Sequence, residues 1–266
     1  MKPSYANFAS GIALVGVLLF TSCRSSHEAQ SNFKLSQIEG TRISIDSTWD
    51  VNPDKKAVAI LEPYKKKIDQ MMYEVIGFSE MKMEKGQPES LLSNLVAEVL
   101  RVSANEVLKH PADIGIMNIG GLRSILPQGN ITVDAVYEIL PFENSLCVLT
   151  MKGTEIKKLM EVIASLHGEG LSGARLEITS DGKLLAATVQ GQKIDDDRSY
   201  TVATIDYLAD GNDGLTPLQN STSRVCPEGK TLRGLFLDYV RKQTADGKKI
   251  TSKLDGRITV VTPSNE

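Results

Sequence analysis

The chain has 266 residues, of which 41% are hydrophobic and 24% charged, as is typical of a soluble globular protein. This length favours one domain with a short additional segment. The formal net charge of -3 excludes the overall positive field that draws proteins onto phosphate backbones, so we expect no nucleic-acid partner.

The N-terminus is typical of an export signal. An apolar run from Phe8 to Phe20, too short to cross a bilayer comfortably, follows Lys2. Leu19 to Cys23 (LFTSC) resembles a bacterial lipobox, which predicts that residues 1–22 are a signal peptide and that Cys23 is lipidated; an ordinary secretory peptide is the alternative. Acyl chains on Cys23 would hold the protein at a membrane. We therefore expect an exported lipoprotein of the bacterial cell envelope, on its periplasmic face.

Residues 23–40 are polar and aperiodic, which predicts a tether, and we place the folded domain at residues 41–266. The first predicted helix has a solvated face at Lys65 to Lys67. Its opposite face is apolar at Val58, Leu61, Ile68, Met71, Met72 and Val75.

The remaining elements alternate without a regular βαβ order. Apolar periodicity predicts helices at 90–107, 131–140, 154–165 and 231–244. Short apolar runs predict strands at 113–117, 146–151, 174–178, 184–189, 200–204 and 258–261. This mixture predicts an α+β fold with mixed sheets and packed helices.

Few residues of this chain are suited to hydrolytic chemistry. Its three histidines occur in no Asp-x-His, His-x-His or Asn-His pair, so the sequence does not predict a metal centre. No Gly-x-Ser-x-Gly motif is present. Cys147 lies in the apolar run SLCVLTM, where a small buried hydrophobic residue is the preferred interpretation, although a disulfide with Cys226 stays open.

Residues 118–123 (NIGGLR) and 140–144 (LPFEN) combine turn residues with groups that bind ligands. Paired glycines allow the backbone to come close to a ligand, and the Arg123 guanidinium can donate two hydrogen bonds to an anion. Pro141 places Phe142 at the tip of a loop. For this stretch alone, an ordinary glycine turn with a surface arginine and a half-buried Phe is the preferred interpretation, because paired glycines are common in turns. Residues 200–217 add a second aromatic, Tyr207, and an acidic turn with Asp213. Together these groups suit a nucleoside 5'-phosphate.

These motifs resemble the C-terminal, substrate-binding domain of the 5'-nucleotidase family, which includes UDP-sugar hydrolases and 2',3'-cyclic phosphodiesterases. The resemblance covers residues 57–261 and follows three motifs in order: Asn118 to Arg123, Leu140 to Asn144, and Tyr200 to Gly214. It implies a substrate site formed by Asn118, Gly121, Arg123, Phe142, Asn144, Gly173, Tyr207 and Asp213.

The resemblance also implies the role of each group. Phe142 and Tyr207 would stack on the base, and Asn118 would hydrogen-bond its edge. Arg123 would bind phosphate and Asp213 the ribose. Gly173 would line the same pocket.

The sequence departs from the family pattern in three places. A second phosphate-binding arginine is replaced in the Pro88-Glu89 segment, which puts the phosphate contact in doubt. Asn212 replaces a glycine of the acidic turn, and Asp206 stands where asparagine is frequent.

In the family, a separate N-terminal metallophosphoesterase domain carries two metals and the catalytic dyad. The sequence does not predict such a domain, so we expect no catalytic residue and no cofactor here, with divalent metals only in a partner. The preferred hypothesis is the substrate-binding half of a split 5'-nucleotidase, completed by a metallophosphoesterase chain. The alternatives are a stand-alone nucleotide-binding lipoprotein or a scaffold.

Overall fold

The computed structural model describes residues 37–261. The predicted signal peptide, Cys23 and most of the tether lie outside them. The chain divides into two compact units, Met1–Lys55 and Lys56–Glu266. In the first, the Asp46 carboxylate accepts from the backbone N–H of Thr48 at 3.0 Å and caps a 3-10 turn at Ser47–Val51. No helix within residues 37–261 is long and apolar enough to span a membrane.

The helices and strands alternate along the chain. The helices are α1 Lys55–Met72, α2 Leu91–Ser103, α3 Asn105–Leu108, α4 Val133–Ile139, α5 Gly153–Ser165, α6 Asp206–Ala209 and α7 Leu232–Ala245. The strands are β1 Val75–Ser79, β2 Ile114–Met117, β3 Gly129–Thr132, β4 Leu146–Lys152, β5 Gly170–Ser172, β6 Ala174–Ile178, β7 Leu184–Val189, β8 Gln192–Lys193, β9 Ser199–Ile205, β10 Ser223–Val225 and β11 Ile258–Val260. The predicted α+β class is confirmed.

A five-stranded sheet in the order β10-β4-β9-β2-β5 is the frame of the larger unit. Strand β9 runs parallel to β2 and antiparallel to β4, and β5 runs antiparallel to β2. Leu146 pairs with Ile205, and Met117 pairs with Gly170. The C-terminal ends of β2 and β9 therefore meet the beginnings of β4 and β5 at one edge of the sheet.

Buried apolar side chains on both faces hold this sheet in place. Helix α2 packs on β2 and β5 through Leu92, Val96 and Leu100, which are fully buried. The Ser90 hydroxyl starts this helix by accepting from the backbone N–H of Ser93. Two smaller sheets complete the fold, β1-β3 and β11-β6-β7-β8.

Three features differ from the sequence-based predictions. The first helix forms, but none of its side chains is buried, and it ends at Met72, so that Val75 begins β1. Cys147 is buried as expected but is not a free thiol, because it forms a disulfide with Cys226. The short strands β1, β3, β5, β8 and β10 were not predicted.

Candidate functional site

The three sequence motifs converge where the central strands end. Residues 118–123 follow β2, Tyr207 and Asp213 follow β9, and the loop with Phe142 precedes β4. Because β2 and β9 end at the edge where β4 begins, segments far apart in sequence become neighbours. A cavity of about 370 Å³ lies there, lined by Asn118, Gly120, Gly121, Arg123, Phe142, Asn144, Tyr207 and Asp213.

The glycine turn after β2 brings Asn118 into the site. Residues Ile119–Gly121 form one 3-10 turn, and Asn118 is only 5% exposed. A side chain at Gly121 would place its Cβ 2.8 Å from Asn118 Oδ1, whereas a Cβ at Gly120 would meet nothing closer than 3.7 Å. Gly121 is therefore required for the position of Asn118, and Gly120 is not.

Asn118 and Asp213 form a polar part of the cavity wall. Asn118 Nδ2 donates to Asp213 Oδ2 at 2.6 Å, and the Tyr207 hydroxyl donates to Asp213 Oδ1 at 2.8 Å. Asn118 Oδ1 is buried, and no group within residues 37–261 donates a hydrogen bond to it. The hydrogen bond to Asp213 raises the pKa of Tyr207, so the phenol stays a donor. Asp213 is fixed by two donors and still has free lone pairs for a ligand.

Asp213 holds this position with an unusual backbone conformation. Its φ of 53° lies in the left-handed region, which costs an L-residue about 1 kcal/mol or more. Gly211 and Gly214 on either side also have positive φ. The tight turn of the DGNDG sequence thus aims the Asp213 carboxylate at Asn118 and Tyr207.

Two aromatic rings line the cavity and stay accessible. Phe142 is 47% exposed and Tyr207 is 41% exposed. The Arg123 guanidinium lies 5.9 Å from the centre of the Phe142 ring and is exposed. Within residues 37–261 no acidic side chain forms an ion pair with Arg123. This cavity therefore combines open aromatic faces with a guanidinium that forms no ion pair within residues 37–261.

Glu169 is a site residue that the sequence analysis missed. It lies just before β5 at the same sheet edge, and its Oε2 accepts from the backbone N–H of Ile119 at 2.5 Å. Burial raises the pKa of Glu169 to about 7, and the nearby Asp213 carboxylate adds to this rise. The hydrogen bond from Ile119 acts in the opposite direction but is the weaker effect. A glutamate between two glycines has no pattern that signals burial. Glu169 supports the turn that carries Gly121 and Arg123.

Seven of the eight predicted substrate-site residues line this cavity; Gly173 does not. Gly173 lines a second cavity of about 290 Å³ with Glu98, Arg101 and Arg257 among its walls. Its φ is 76°, and a Cβ there would lie 2.0 Å from the carbonyl oxygen of Asp113. Gly173 therefore serves the close approach of β5 to a neighbouring segment, and its expected place in the ligand pocket is wrong.

The segment that lacks the second arginine has a structural role. Glu89 accepts from Asn94 Nδ2 and from the backbone N–H groups of Asp255 and Arg257. A different cation lies near the glycine turn: Lys85 Nζ donates to the carbonyl oxygen of Leu122 at 2.6 Å. Lys85 is a second residue that the sequence analysis did not single out.

The acidic and histidine side chains do not suit a metal. Across residues 37–261, no group of three or more His, Cys, Asp or Glu side chains is arranged to hold a metal ion. Among the residues that line the cavity, Asp213 alone carries a carboxylate, which is too few ligands to hold a metal. We therefore derive no metal-dependent step from this chain's own residues.

Comparison with known proteins identifies the family. The model described as "5'-nucleotidase, C-terminal domain" matches residues 69–220, more than half of the chain. The chain belongs to this family.

The matches lie in one part of larger proteins. Protein UshA of Yersinia enterocolitica is 26% identical over 196 residues, which are 72% of this chain and 36% of UshA. Trifunctional nucleotide phosphoesterase protein YfkN of Bacillus subtilis is 27% identical over 240 residues, or 82% of this chain and 16% of that protein. The 5'-nucleotidase precursor of Thermus thermophilus superposes with a TM-score of 0.66 at 28% identity, covering 79% of this chain and 43% of that one. The chain thus spans less than half of each of these relatives.

Proposed function

We propose that this chain binds a nucleoside 5'-phosphate and presents it to a separate metallophosphoesterase chain, which supplies the metals for hydrolysis. One observation carries the binding part of the proposal. Two half-exposed aromatic rings and an arginine without an acidic partner line the same cavity of about 370 Å³. A nucleotide has the complementary groups, a flat base and an anionic phosphate.

The aromatic rings suit the base. Exposed aromatic surface is costly in water, and this cost is relieved when a flat ring covers the Phe142 loop and the Tyr207 ring on α6. Stacking of a base on an aromatic side chain is worth about 1–3 kcal/mol by alanine substitution. Phe142 and Tyr207 therefore account for recognition of a base without selecting a particular one.

The polar groups suit the ribose and the phosphate. Asp213 is held by Asn118 and Tyr207 with lone pairs left to accept from ribose hydroxyls. Arg123 has the planar fork that binds phosphate oxygens in pairs.

Two observations support a partner chain. Within residues 37–261 no side-chain cluster is fit to hold the metals that phosphate hydrolysis uses in this family. Helix α1 also exposes Ile60, Leu61, Tyr64, Ile68 and Met71. Contiguous apolar surface of this kind is typical of a protein interface.

Calorimetric titration with adenosine and AMP in EDTA tests the binding part. We expect binding without metal, and Phe142→Ala should weaken it about tenfold, the equivalent of about 1.4 kcal/mol. The matched control is Phe78→Ala, because Phe78 is 41% exposed on β1 and lies outside the cavity. Equal losses in the two variants would contradict the base clamp.

A mixing experiment tests the partner part. A metallophosphoesterase chain of the same organism, added to this protein with a divalent cation, should hydrolyse AMP only when both chains are present. Phe142→Ala should then raise KM. Binding of AMP with no hydrolysis in any such mixture would favour the stand-alone nucleotide-binding lipoprotein.

We further propose that the protein is exported and anchored through lipid on Cys23. One relative, a Listeria monocytogenes protein named cell wall protein Lmo0130, is 27% identical over 239 residues, 79% of this chain. The Cys23→Ser variant should move from the membrane fraction to the soluble fraction of cells. Retention of that variant in the membrane fraction would contradict the anchor.

A further inference from the structure

The loop that carries Phe142 has few contacts of its own. Residues 141–145 lie between α4 and β4 without regular structure, and Phe142 is half exposed. A ring on such a loop stacks well only if other groups fix the backbone around it. The first turn of α7 and the residues before it provide these groups.

The end of the loop is fixed by backbone hydrogen bonds. The N–H of Leu232 donates to the carbonyl oxygen of Asn144 at 2.8 Å, and the N–H of Leu146 donates to that of Lys230 at 2.8 Å. The Thr231 hydroxyl caps α7 by accepting from the N–H of Gly234. The start of α7 is thus joined to the loop just after Phe142.

The remainder of the loop is held by one side chain, Arg233. Its Nη1 donates to the carbonyl oxygens of Leu140 at 3.2 Å and Pro141 at 3.1 Å, and its Nη2 pairs with the carboxylate of Glu143. The guanidinium also lies 4.1 Å from the centre of the Tyr137 ring on α4. Arg233 therefore contacts the residues on both sides of Phe142.

The burial of Arg233 makes these contacts specific. Arg233 is only 8% exposed, and a buried guanidinium is tolerated only when its donors are used. Its planar guanidinium contacts two carbonyl oxygens and a carboxylate at once. A lysine ammonium is a compact point charge and lacks this planar arrangement of donors. Arg233 does not line the cavity. Any effect of Arg233 on a ligand must therefore pass through the Phe142 loop.

We propose that Arg233 is a positioning residue of the base-binding site, which holds residues 140–143 so that the Phe142 ring faces the cavity shared with Tyr207. This inference rests on the proposed nucleotide-binding function. It assigns base recognition to a buried side chain of α7, a helix that does not line the cavity. Arg123 and Asp213, the groups proposed to contact phosphate and ribose, lie outside this loop.

The test compares AMP with ribose 5-phosphate, which has no base, on the full-length chain. Arg233→Met should weaken AMP binding by calorimetry about tenfold, similar to Phe142→Ala. Its affinity for ribose 5-phosphate, measured by NMR titration, should change by less than about twofold, since Arg233 lies outside the cavity. The matched control is Arg241→Met on the same helix, where the arginine is half exposed and pairs with Glu74. This control should bind AMP like wild type.

A double variant separates positioning from a general loss of structure. If Arg233 acts through Phe142, the Phe142→Ala/Arg233→Met protein binds AMP no more weakly than Phe142→Ala alone. Additive losses, or equal losses for AMP and ribose 5-phosphate, would overturn the inference.

Glu143→Ala covers the case in which Arg233→Met does not fold. The Glu143 side chain is 75% exposed, so its removal leaves the core intact. It should weaken AMP binding but not ribose 5-phosphate binding, and an unchanged AMP affinity would contradict the inference. If the wild-type chain itself binds neither AMP nor adenosine, the proposed function fails, and that result is distinct from normal binding by the Arg233 and Glu143 variants.

Discussion

The pH dependence of stability should report the buried Glu169. Its pKa is about 7 in the folded chain, above its ordinary value of 4.5, chiefly because burial disfavours the charged form. The folded state therefore holds this proton more tightly than the unfolded state. The resulting stabilisation is complete below pH 4.5, declines as the pH rises and is lost above about pH 7.

The magnitude follows from the interval between these two pKa values. Each pH unit corresponds to about 1.4 kcal/mol. The unfolding free energy of the wild type should therefore fall by about 3 kcal/mol between pH 4.5 and pH 7 because of Glu169. Glutamine has the same shape and keeps an oxygen that accepts from the N–H of Ile119. Glu169→Gln should therefore remove the pH-dependent cost while the turn at Gly121 stays in place.

Urea unfolding of wild type and Glu169→Gln at several pH values from 4 to 8 measures this effect. The difference between the two unfolding free energies should rise from pH 4.5 to 7 in favour of the variant and then level off. Asp213→Asn, which removes the neighbouring negative charge, should make this rise smaller. A difference that stays constant across the range would refute the reasoning.

Three other predictions test the site and the frame. Arg123→Met should weaken AMP binding about tenfold or more and leave adenosine binding unchanged, because one charge-assisted phosphate contact is lost; equal losses in titrations with the two ligands would contradict its role. Gly121→Ala should impair AMP binding and lower the melting temperature, because the new Cβ would lie 2.8 Å from Asn118 Oδ1. Gly120→Ala should behave like wild type, because its Cβ would have no atom closer than 3.7 Å. Similar effects of the two substitutions would contradict this prediction. Reduction of the Cys147–Cys226 disulfide, which closes a sequence separation of 79 residues, should lower the unfolding free energy by about 4.5 kcal/mol. Urea titrations with and without reductant measure this loss, and an unchanged midpoint would contradict it.

The site was predictable to the extent that its residues lie in short ordered motifs. Asn118, Phe142 and Asp213 each belong to a motif whose local residue types already suggest a turn or a loop tip. The sequence could not show that these turns meet, because this depends on β9 pairing with both β2 and β4. The family resemblance supplied that information.

The residues that were missed have their roles only through tertiary contacts. Glu169 and Arg233 are charged residues, which are seldom buried, and nothing in their neighbouring sequence indicates burial. Gly173 was misplaced because its positive φ serves the approach to Asp113 and not a ligand. In the same way, the periodicity of α1 predicted an apolar face but not whether anything covers it.

The ordinary interpretation of residues 118–123, a glycine turn with a surface arginine, can now be weighed against the energetic costs in the cavity. Asn118 Oδ1 is a buried acceptor without a donor, which costs about 1–3 kcal/mol. Asp213 adds about 1 kcal/mol or more for its left-handed backbone. These costs are a substantial part of the roughly 5–15 kcal/mol that stabilises a typical domain. A turn that only connected two strands would have no reason to place both beside two exposed aromatic rings, whereas strained and incompletely paired groups are typical of a ligand-binding site.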